Sequence, residues 1–343
     1  MARCIQLAQN GIGTTYPNPL VGSVIVQNGV IIGEGWHFKS GTAHAEVNAI
    51  TSVKDKALLK EATLYVSLEP CSHFGRTPPC ADLIISSGIK KVVIGSKDPN
   101  PKVAGQGIER LEAANCEVIE AILAEECNDL NKRFFSFHQK KRPYILLKWA
   151  ETANGFIAPD KKNRSSEKKP VWITNAYSRQ FAHKLRTQEQ AILVGTQTVL
   201  DDNPSLTTRD WKGTNPVRVV IDRTLKIPKT ASVFDKSVKT IVLTEKETPN
   251  SDEIFFEKVD FSEKIPQQIC EVVYKHGLQS VIIEGGTKTI QTFIDANLWD
   301  ESVQLKGNTS FNNGIKAPKL SGRLISEAKI KGDIVQRIKN NSL

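Results

Sequence analysis

His44-Ala45-Glu46, with Cys71 and Cys80 further on, constrains this chain more than any other feature. One imidazole and two thiolates are the donor set of a zinc centre whose fourth tetrahedral position stays open for water. For that set to close, the fold must bring residue 44 against positions 71 and 80. If His44 opens a helix, Glu46 falls in the first turn and faces the same centre without ligating it.

A His-x-Glu followed by Pro-Cys and a second Cys, with the glutamate moving protons, is the pattern of zinc deaminases. One feature departs from the general form: eight residues separate Cys71 and Cys80 where it has two. The bland alternatives are a purely structural zinc, or a core histidine beside two bystander cysteines. Structural zinc normally takes a fourth protein ligand, and His73 can supply one.

The insert decides the comparison. Glu69-Pro-Cys-Ser-His-Phe-Gly-Arg-Thr-Pro-Pro-Cys80 closely resembles the deaminase half of the bifunctional riboflavin-biosynthesis deaminase-reductases, and Thr15-Tyr-Pro-Asn-Pro-Leu-Val-Gly22 resembles that family's substrate loop. The resemblance implies an N-terminal cytidine-deaminase-like three-layer α/β/α domain and a C-terminal dihydrofolate-reductase-like α/β domain. It makes His44, Cys71 and Cys80 the zinc ligands, and Glu46 the proton carrier. It sets Asn18, His37, His73 and Arg76 around a pyrimidine and its ribose phosphate. An Asn amide offers both donor and acceptor to a ring edge, and an Arg forks onto phosphate. Apart from the resemblance, Asn18 reads as a turn residue and Arg76 as a solvated one.

A chain of 343 residues is too long for one ordinary core, which predicts two domains. The net charge of +9 admits nucleic acid, a membrane surface or anionic small substrates. The lysines are scattered apart from short runs such as Lys140-Lys141-Arg142 and Lys168-Lys169, which favours small substrates over nucleic acid. No apolar run approaches the roughly 20 residues that span a bilayer. Met1 to Asn10 reads as a short amphipathic helix, with no signal peptide visible. Six cysteines in this length are no disulfide framework. Cys4, Cys116, Cys127 and Cys270 read as thiols of a reducing cytoplasm.

Taken in order, residues 2–10 predict a helix, and Pro17 and Pro19 an extended loop. Gln27-Asn28-Gly29 between Val21–Val26 and Val30–Gly33 predicts a hairpin. Helices follow over 43–53, 80–87 and 108–114, and strands over 62–68, 90–95 and 117–119. One long helical pattern runs from Ala121 to about Gln139. The break falls near Lys140-Lys-Arg-Pro143, giving domains 1–142 and 143–343. Beyond it, strands are expected at 144–149, 191–194, 217–221, 240–243 and 280–283, with helices at 178–188 and 264–276 and a mobile polar loop at 161–169. Strand–helix alternation predicts α/β layers in both halves.

Glu284-Gly285-Gly286-Thr287 sits between a strand and a helix, where glycines let backbone N–H groups approach an anion. It lacks the full Gly-x-Gly-x-x-Gly pattern, so a Rossmann domain is not indicated. The resemblance implies an NADPH-dependent reductase that turns a ribosyl group into ribityl. By that match Lys148, Trp172, Thr198, Asp202, Gly285, Gly286 and Thr287 flank the cofactor, while Arg186, Leu206, Arg209 and Glu284 hold the substrate. Asp202 or Lys148 helps with the proton, and both arginines are candidates for the phosphate. Arg223 is a candidate for a 2′-phosphate. Three features depart from the family: Asn154-Gly155 for Asp-Gly, Asn203 for the second Asp of Asp-Asp-Pro, and the segment Lys306 to Gly314 for a glycine-rich one. Pro170 also replaces a small polar residue.

The expected protein is a cytoplasmic homo-oligomer, dimer or tetramer. It deaminates a phosphoribosylamino-pyrimidine with zinc and then reduces the side chain with NADPH, without nucleic acid or membrane partners. The rivals are a nucleic-acid-editing deaminase with a basic C-terminal module, and a second domain degenerated to nucleotide binding or oligomerisation.

Overall fold

The computed structural model describes residues 1–74, 78–100, 104–160 and 171–342. The polar stretch 161–169, Arg76 and Pro170 lie outside the described residues. The chain forms two compact units, Met1–Lys141 and Arg142–Leu343.

The first unit is built on a five-stranded sheet of order β2-β1-β3-β4-β5, from β1 (Gly22–Gln27), β2 (Val30–Trp36), β3 (Thr63–Leu68), β4 (Lys91–Ser96) and β5 (Glu117–Ile119). The β1–β2 hairpin turns on Asn28 and Gly29, at φ 49° and 77°. Both central residues of a tight hairpin turn need that left-handed geometry. Helices α2 (Ala45–Ser52), α3 (Cys80–Ser86) and α4 (Gln106–Ala113) bury Ala49, Ile84 and Leu111 against Ile25, Leu64 and Ile94. On the other face, α1 (Ala2–Ala8) packs Cys4 and Leu7 on Val24. Each fully buried aliphatic side chain contributes about 1.5–3 kcal/mol. The expected long helix is two: α5 (Ala124–Leu130) and α6 (Lys132–Lys140), separated at Asn131. Asn131 has φ −102° and ψ 19°, and its amide is bonded outside the helix.

The second unit carries a nine-stranded sheet of order β11-β10-β9-β8-β12-β6-β13-β16-β15. Its strands are β6 (Tyr144–Glu151), β8 (Ala191–Gly195), β9 (Val217–Ile221), β10 (Thr240–Thr244), β11 (Ile254–Lys258), β12 (Ser280–Ile283), β13 (Glu301–Lys306), β15 (Arg323–Ile330) and β16 (Asp333–Lys339). Pairing is parallel from β11 to β13, and β16 and β15 close the edge as an antiparallel hairpin. Strands buried on both faces read as continuous apolar runs, as in Ser280–Ile283, with all four residues buried. Leu147, Leu193 and Ile283 face α9 (Ile265–Lys275) and α10 (Thr287–Asp295), whereas Leu146, Ile192 and Ile282 face α7 (Ala176–Gln188).

From β6 the chain builds outward through β8 to β11, returns to β12 between β8 and β6, and then adds β13 beyond β6. That reversal places a topological switch point at the carboxyl ends of β8, β12 and β6, the position at which open α/β sheets bind ligands. A separate ribbon pairs β7 (Phe156–Pro159) with β14 (Gly314–Lys316). Helix α8 (Thr196–Asp202) follows β8 directly.

Candidate functional site

In the first unit three elements deliver the donors. His44 is the N-cap of α2, Cys71 follows Pro70 at the end of β3, and Cys80 opens α3. Their ligand atoms lie within 4.8 Å of one another. His44 Nδ1 is 3.3 Å from Cys80 Sγ and 3.5 Å from Cys71 Sγ. A tetrahedral zinc with ordinary Zn–N and Zn–S bonds sets nitrogen and sulfur about 3.5 Å apart, so the donor set fits that ion. The neighbouring Cys80 and the His44 ring pull the Cys71 thiol down to about 4 despite burial, and Cys80 is raised in turn. Cys71 is therefore ready to ligate as a thiolate. His73 is exposed and stands outside the donor cluster. Among the described residues the cluster has three members, as an open site requires.

Glu46 is 3 % exposed in the first turn of α2 and meets the Cys80 thiol. Burial, then the nearby Cys71, pushes its carboxyl up to about 7. His37 and Asn18 join the same neighbourhood: the His37 and His44 rings meet edge to face at 5.4 Å. His37 Nδ1–H donates to the Ala43 carbonyl at 3.1 Å, which leaves Nε2 to accept from the Asn18 amide at 3.1 Å. Burial lowers the His37 pKa and keeps that neutral tautomer.

Glu69 stands two residues before Cys71 in the same motif. Its buried carboxylate accepts from the backbone N–H groups of Asp98 (3.2 Å), Gly105 (3.0 Å) and Gly107 (2.9 Å). Arg110 donates to the Ser72 carbonyl at 2.9 Å. A Cβ on Gly107 would stand 2.0 Å from the Pro70 carbonyl oxygen, so the start of α4 sits directly on the Cys71 loop. A Glu that takes three backbone donors has no local sequence signal.

In the second unit, Glu284 directly follows β12 at the switch point and meets two cations. Arg186 grips it with both prongs, at 2.9 and 2.8 Å, and Lys148 Nζ lies at 3.4 Å. Burial alone would raise Glu284, but Arg186 and Lys148 outweigh it and hold the carboxylate well below its ordinary range. Burial pushes Lys148 down. Two cations on one carboxylate leave the buried triad one positive charge in excess. Arg186 also donates to the Thr207 carbonyl at 3.0 Å, tying the triad to the loop of Leu206 (φ 57°, buried) and Arg209 (exposed). His183, one helical turn before Arg186, bonds Asp210 at 3.2 Å. Burial, then Arg186 and Arg209, lowers its pKa to about 4. His183 was not among the expected residues; its (i, i+3) spacing from Arg186 is the signal that could have found it.

The glycine turn lies beside this triad. A Cβ on Gly285 would come within 2.7 Å of the Gly195 nitrogen. Gly286 N–H donates to Thr198 Oγ1 at 3.1 Å, and Thr287 donates to the Lys316 carbonyl at 2.6 Å. A glycine turn at the start of a nine-residue helix is of the kind that approaches a dinucleotide phosphate. Trp172 is exposed, with the Arg179 guanidinium 4.6 Å from its ring centre, and Asp202 ends α8. Arg223 pairs with Glu245 at 2.8 Å.

Two family models match the chain: the cytidine and deoxycytidylate deaminase zinc-binding region over residues 1–96, and the RibD C-terminal domain over residues 143–305. The riboflavin biosynthesis protein RibD of Aquifex aeolicus is 40% identical over 337 residues, covering 96% of this chain and 91% of that protein. The chain belongs to the RibD family. RibD of Bacillus amyloliquefaciens is 39% identical, covering 99% of this chain and 89% of its own. The crystal structure of the Thermotoga maritima diaminohydroxyphosphoribosylaminopyrimidine deaminase/5-amino-6-(5-phosphoribosylamino)uracil reductase superposes with a TM-score of 0.88 at 38% identity, covering 99% of this chain and 97% of that one.

RibD proteins join a zinc-binding, cytidine-deaminase-like domain to an NADPH-using, dihydrofolate-reductase-like domain, and this chain is such a bifunctional riboflavin-biosynthesis enzyme. Two of its departures from the family pattern have local partners. Asn203 adopts the left-handed conformation (φ 41°) that Asn tolerates well, and its Oδ1 accepts from Ser232 N–H at 2.8 Å. Asn154 brackets Phe311, donating to its carbonyl at 2.7 Å and accepting from its N–H at 3.2 Å. An Asp could not make the first bond, so Asn154 and the altered 306–314 segment suit each other.

Proposed function

We propose that residues 1–142 hydrolytically deaminate diaminohydroxyphosphoribosylaminopyrimidine and that residues 143–343 then reduce the ribosyl side chain of the product to ribityl. The observation that carries the first step is a buried Glu46 beside a three-donor cluster that fits zinc. Zinc, when bound by His44, Cys71 and Cys80, supplies Lewis acidity and an activated water. Glu46, buried beside the donor cluster, takes a proton on a carboxylate oxygen and returns it to the leaving amine. Asn18, its amide oriented by His37, presents Oδ1 to the ring edge. His73 and Arg76 complete the contacts to the ribose phosphate.

In the second step NADPH, when bound, supplies the hydride, and the protein orients and neutralises. The Gly285-Gly286-Thr287 turn, Thr198, Trp172 and Asp202 line the cofactor's place. Leu206, Arg186, Arg209 and Glu284 hold the substrate, and the excess positive charge of the triad favours its phosphate. Three donors of Arg186 already serve Glu284 and Thr207, so Arg209 carries most of the phosphate contact. Lys148, its ammonium made more acidic by burial, hands over the proton.

The protein works in the cytoplasm as a homo-oligomer. All six cysteines are free thiols, and no described helix is long and apolar enough to cross a membrane. A coupled assay on zinc-loaded protein tests the reading, with the pyrimidine substrate supplied with and without NADPH and Glu46→Ala run alongside. We expect deamination to vanish in the variant and NADPH oxidation to follow deamination. Deamination without NADPH oxidation would refute the second step, and no deamination would refute the first.

A further inference from the structure

We propose that Asn131 is the positioning residue that sets the deaminase's substrate loop. The inference rests on the reading of Asn18 as a substrate contact. The loop from Thr15 to Val21 has no regular secondary structure. At its near end Thr14 Oγ1 donates to the Phe38 carbonyl at 2.6 Å, and Ser40 N–H donates to the Thr14 carbonyl at 3.3 Å. At its far end, two residues past Asn18, a single side chain engages both backbone polar groups of Leu20. Asn131 Oδ1 accepts from Leu20 N–H at 2.8 Å, and Asn131 Nδ2 donates to the Leu20 carbonyl at 2.8 Å.

The Asn131 amide thus acts as a neighbouring peptide would in a sheet, from a residue 111 positions away. It is 2 % exposed, and in such surroundings an unpaired backbone group is costly. The local chain is shaped to make these bonds. A helical pattern that composition favours throughout is divided at this residue, whose φ of −102° departs from helical geometry. Only a side chain with one donor and one acceptor on a planar group satisfies both sides of Leu20. A carboxylate would accept from the N–H but repel the carbonyl, and an aliphatic chain would do neither.

Without the amide, Leu20 loses its anchor, and the loop no longer holds Asn18 in register with His37. Asn18 is read as contacting the ring in ground and transition states alike, so the loss falls on KM more than kcat. In the full-length, zinc-loaded enzyme we expect Asn131→Ala to raise the deaminase KM about 10- to 100-fold, the loss expected from two bonds of this kind. The kcat should fall less than about threefold. Zinc content, and reduction of directly supplied deaminated product, should not change. Asn131→Asp, isosteric but repelling the Leu20 carbonyl, should raise KM at least as far as the alanine variant does; it serves as the test if the alanine variant does not fold.

The double variant with Asn18→Ala should be scarcely worse than Asn18→Ala alone, because both act through one contact. Unchanged KM in folded, zinc-replete Asn131 variants would overturn the proposal, as would multiplicative effects in the double variant or parallel loss of both activities. Hydrogen exchange at the Leu20 amide separates the two readings. Lost protection in Asn131→Ala with a kinetically silent Asn18→Ala refutes the role of Asn18 and leaves the tether standing. Unchanged protection refutes the tether.

Discussion

Replacing Glu284 by Gln removes the one anion from a buried cluster of three charges. The side chains of Glu284, Lys148 and Arg186 are 8%, 12% and 13% exposed, so solvent cannot take over its task. Breaking a buried ion pair by deleting one partner costs about 3–5 kcal/mol, because the remaining charge stays unpaired. Here two cations remain, but the cost is capped: Lys148, already made more acidic by burial, can release its proton. In a unit the size of Arg142–Leu343, each kcal/mol lowers the midpoint by about 2–4 °C, so the second unit should melt about 6–20 °C lower.

The pH dependence gives the sharper test. In the variant Lys148 has a folded pKa still further below its unfolded value of about 10.4. The unfolded chain then binds more protons across that window, and stability rises with pH through it. The deficit against the native enzyme should therefore narrow as pH rises toward the unfolded pKa of Lys148, about 10.4. Scanning calorimetry at several pH values, with reductase and deaminase assays before and after heating, reads both effects. Reductase activity should be lost while deamination persists. A midpoint shift under about 2 °C, or a deficit that widens with pH, would refute the triad as the electrostatic centre of this unit.

Two other outcomes follow from the same geometry. Cys80→Ser exchanges a soft thiolate for a hydroxyl, so zinc measured by mass spectrometry of the purified protein should fall well below one per chain; deamination should be lost and NADPH-dependent reduction retained. His183 has its pKa lowered to about 4, first by burial and then by Arg186 and Arg209. The unfolded state binds its proton first, so stability is lost as pH falls from about 6.5 to 4. His183→Gln should flatten that limb of the acid-unfolding curve, and an unchanged limb would place the acid sensitivity elsewhere.

How much of the site is legible in sequence follows from the range of the interactions. His44, Cys71 and Cys80 are readable because metal coordination demands particular residue types close to element ends, Glu46 because it falls in the first turn of the helix that His44 opens, and the long Cys71–Cys80 insert resembles a particular family. Asn28-Gly29 is readable because a tight hairpin requires positive φ at both positions. The hairpin of β15 and β16 was missed: every residue of β15 but the last is exposed, so no alternation marks it, and its turn uses Lys331-Gly332. The 121–139 segment reads as one helix because periodicity reports propensity and cannot see a bond from Asn131 to Leu20.

Composition, periodicity and motif spacing by themselves determined two α/β units and a zinc-capable donor set, and pointed to a glutamate beside it and a glycine turn between strand and helix. These depend on local geometry, or on chemistry that few residue types can perform. Tertiary structure alone decided that Glu69 holds the backbone at Asp98, Gly105 and Gly107, that Glu284 is clasped by Arg186 and Lys148, and that Asn131 anchors Leu20. Each is a polar group whose partner lies far along the chain. Its role comes from burial, which makes an unpaired donor or acceptor costly, and burial exists only once the sheets and helices have packed.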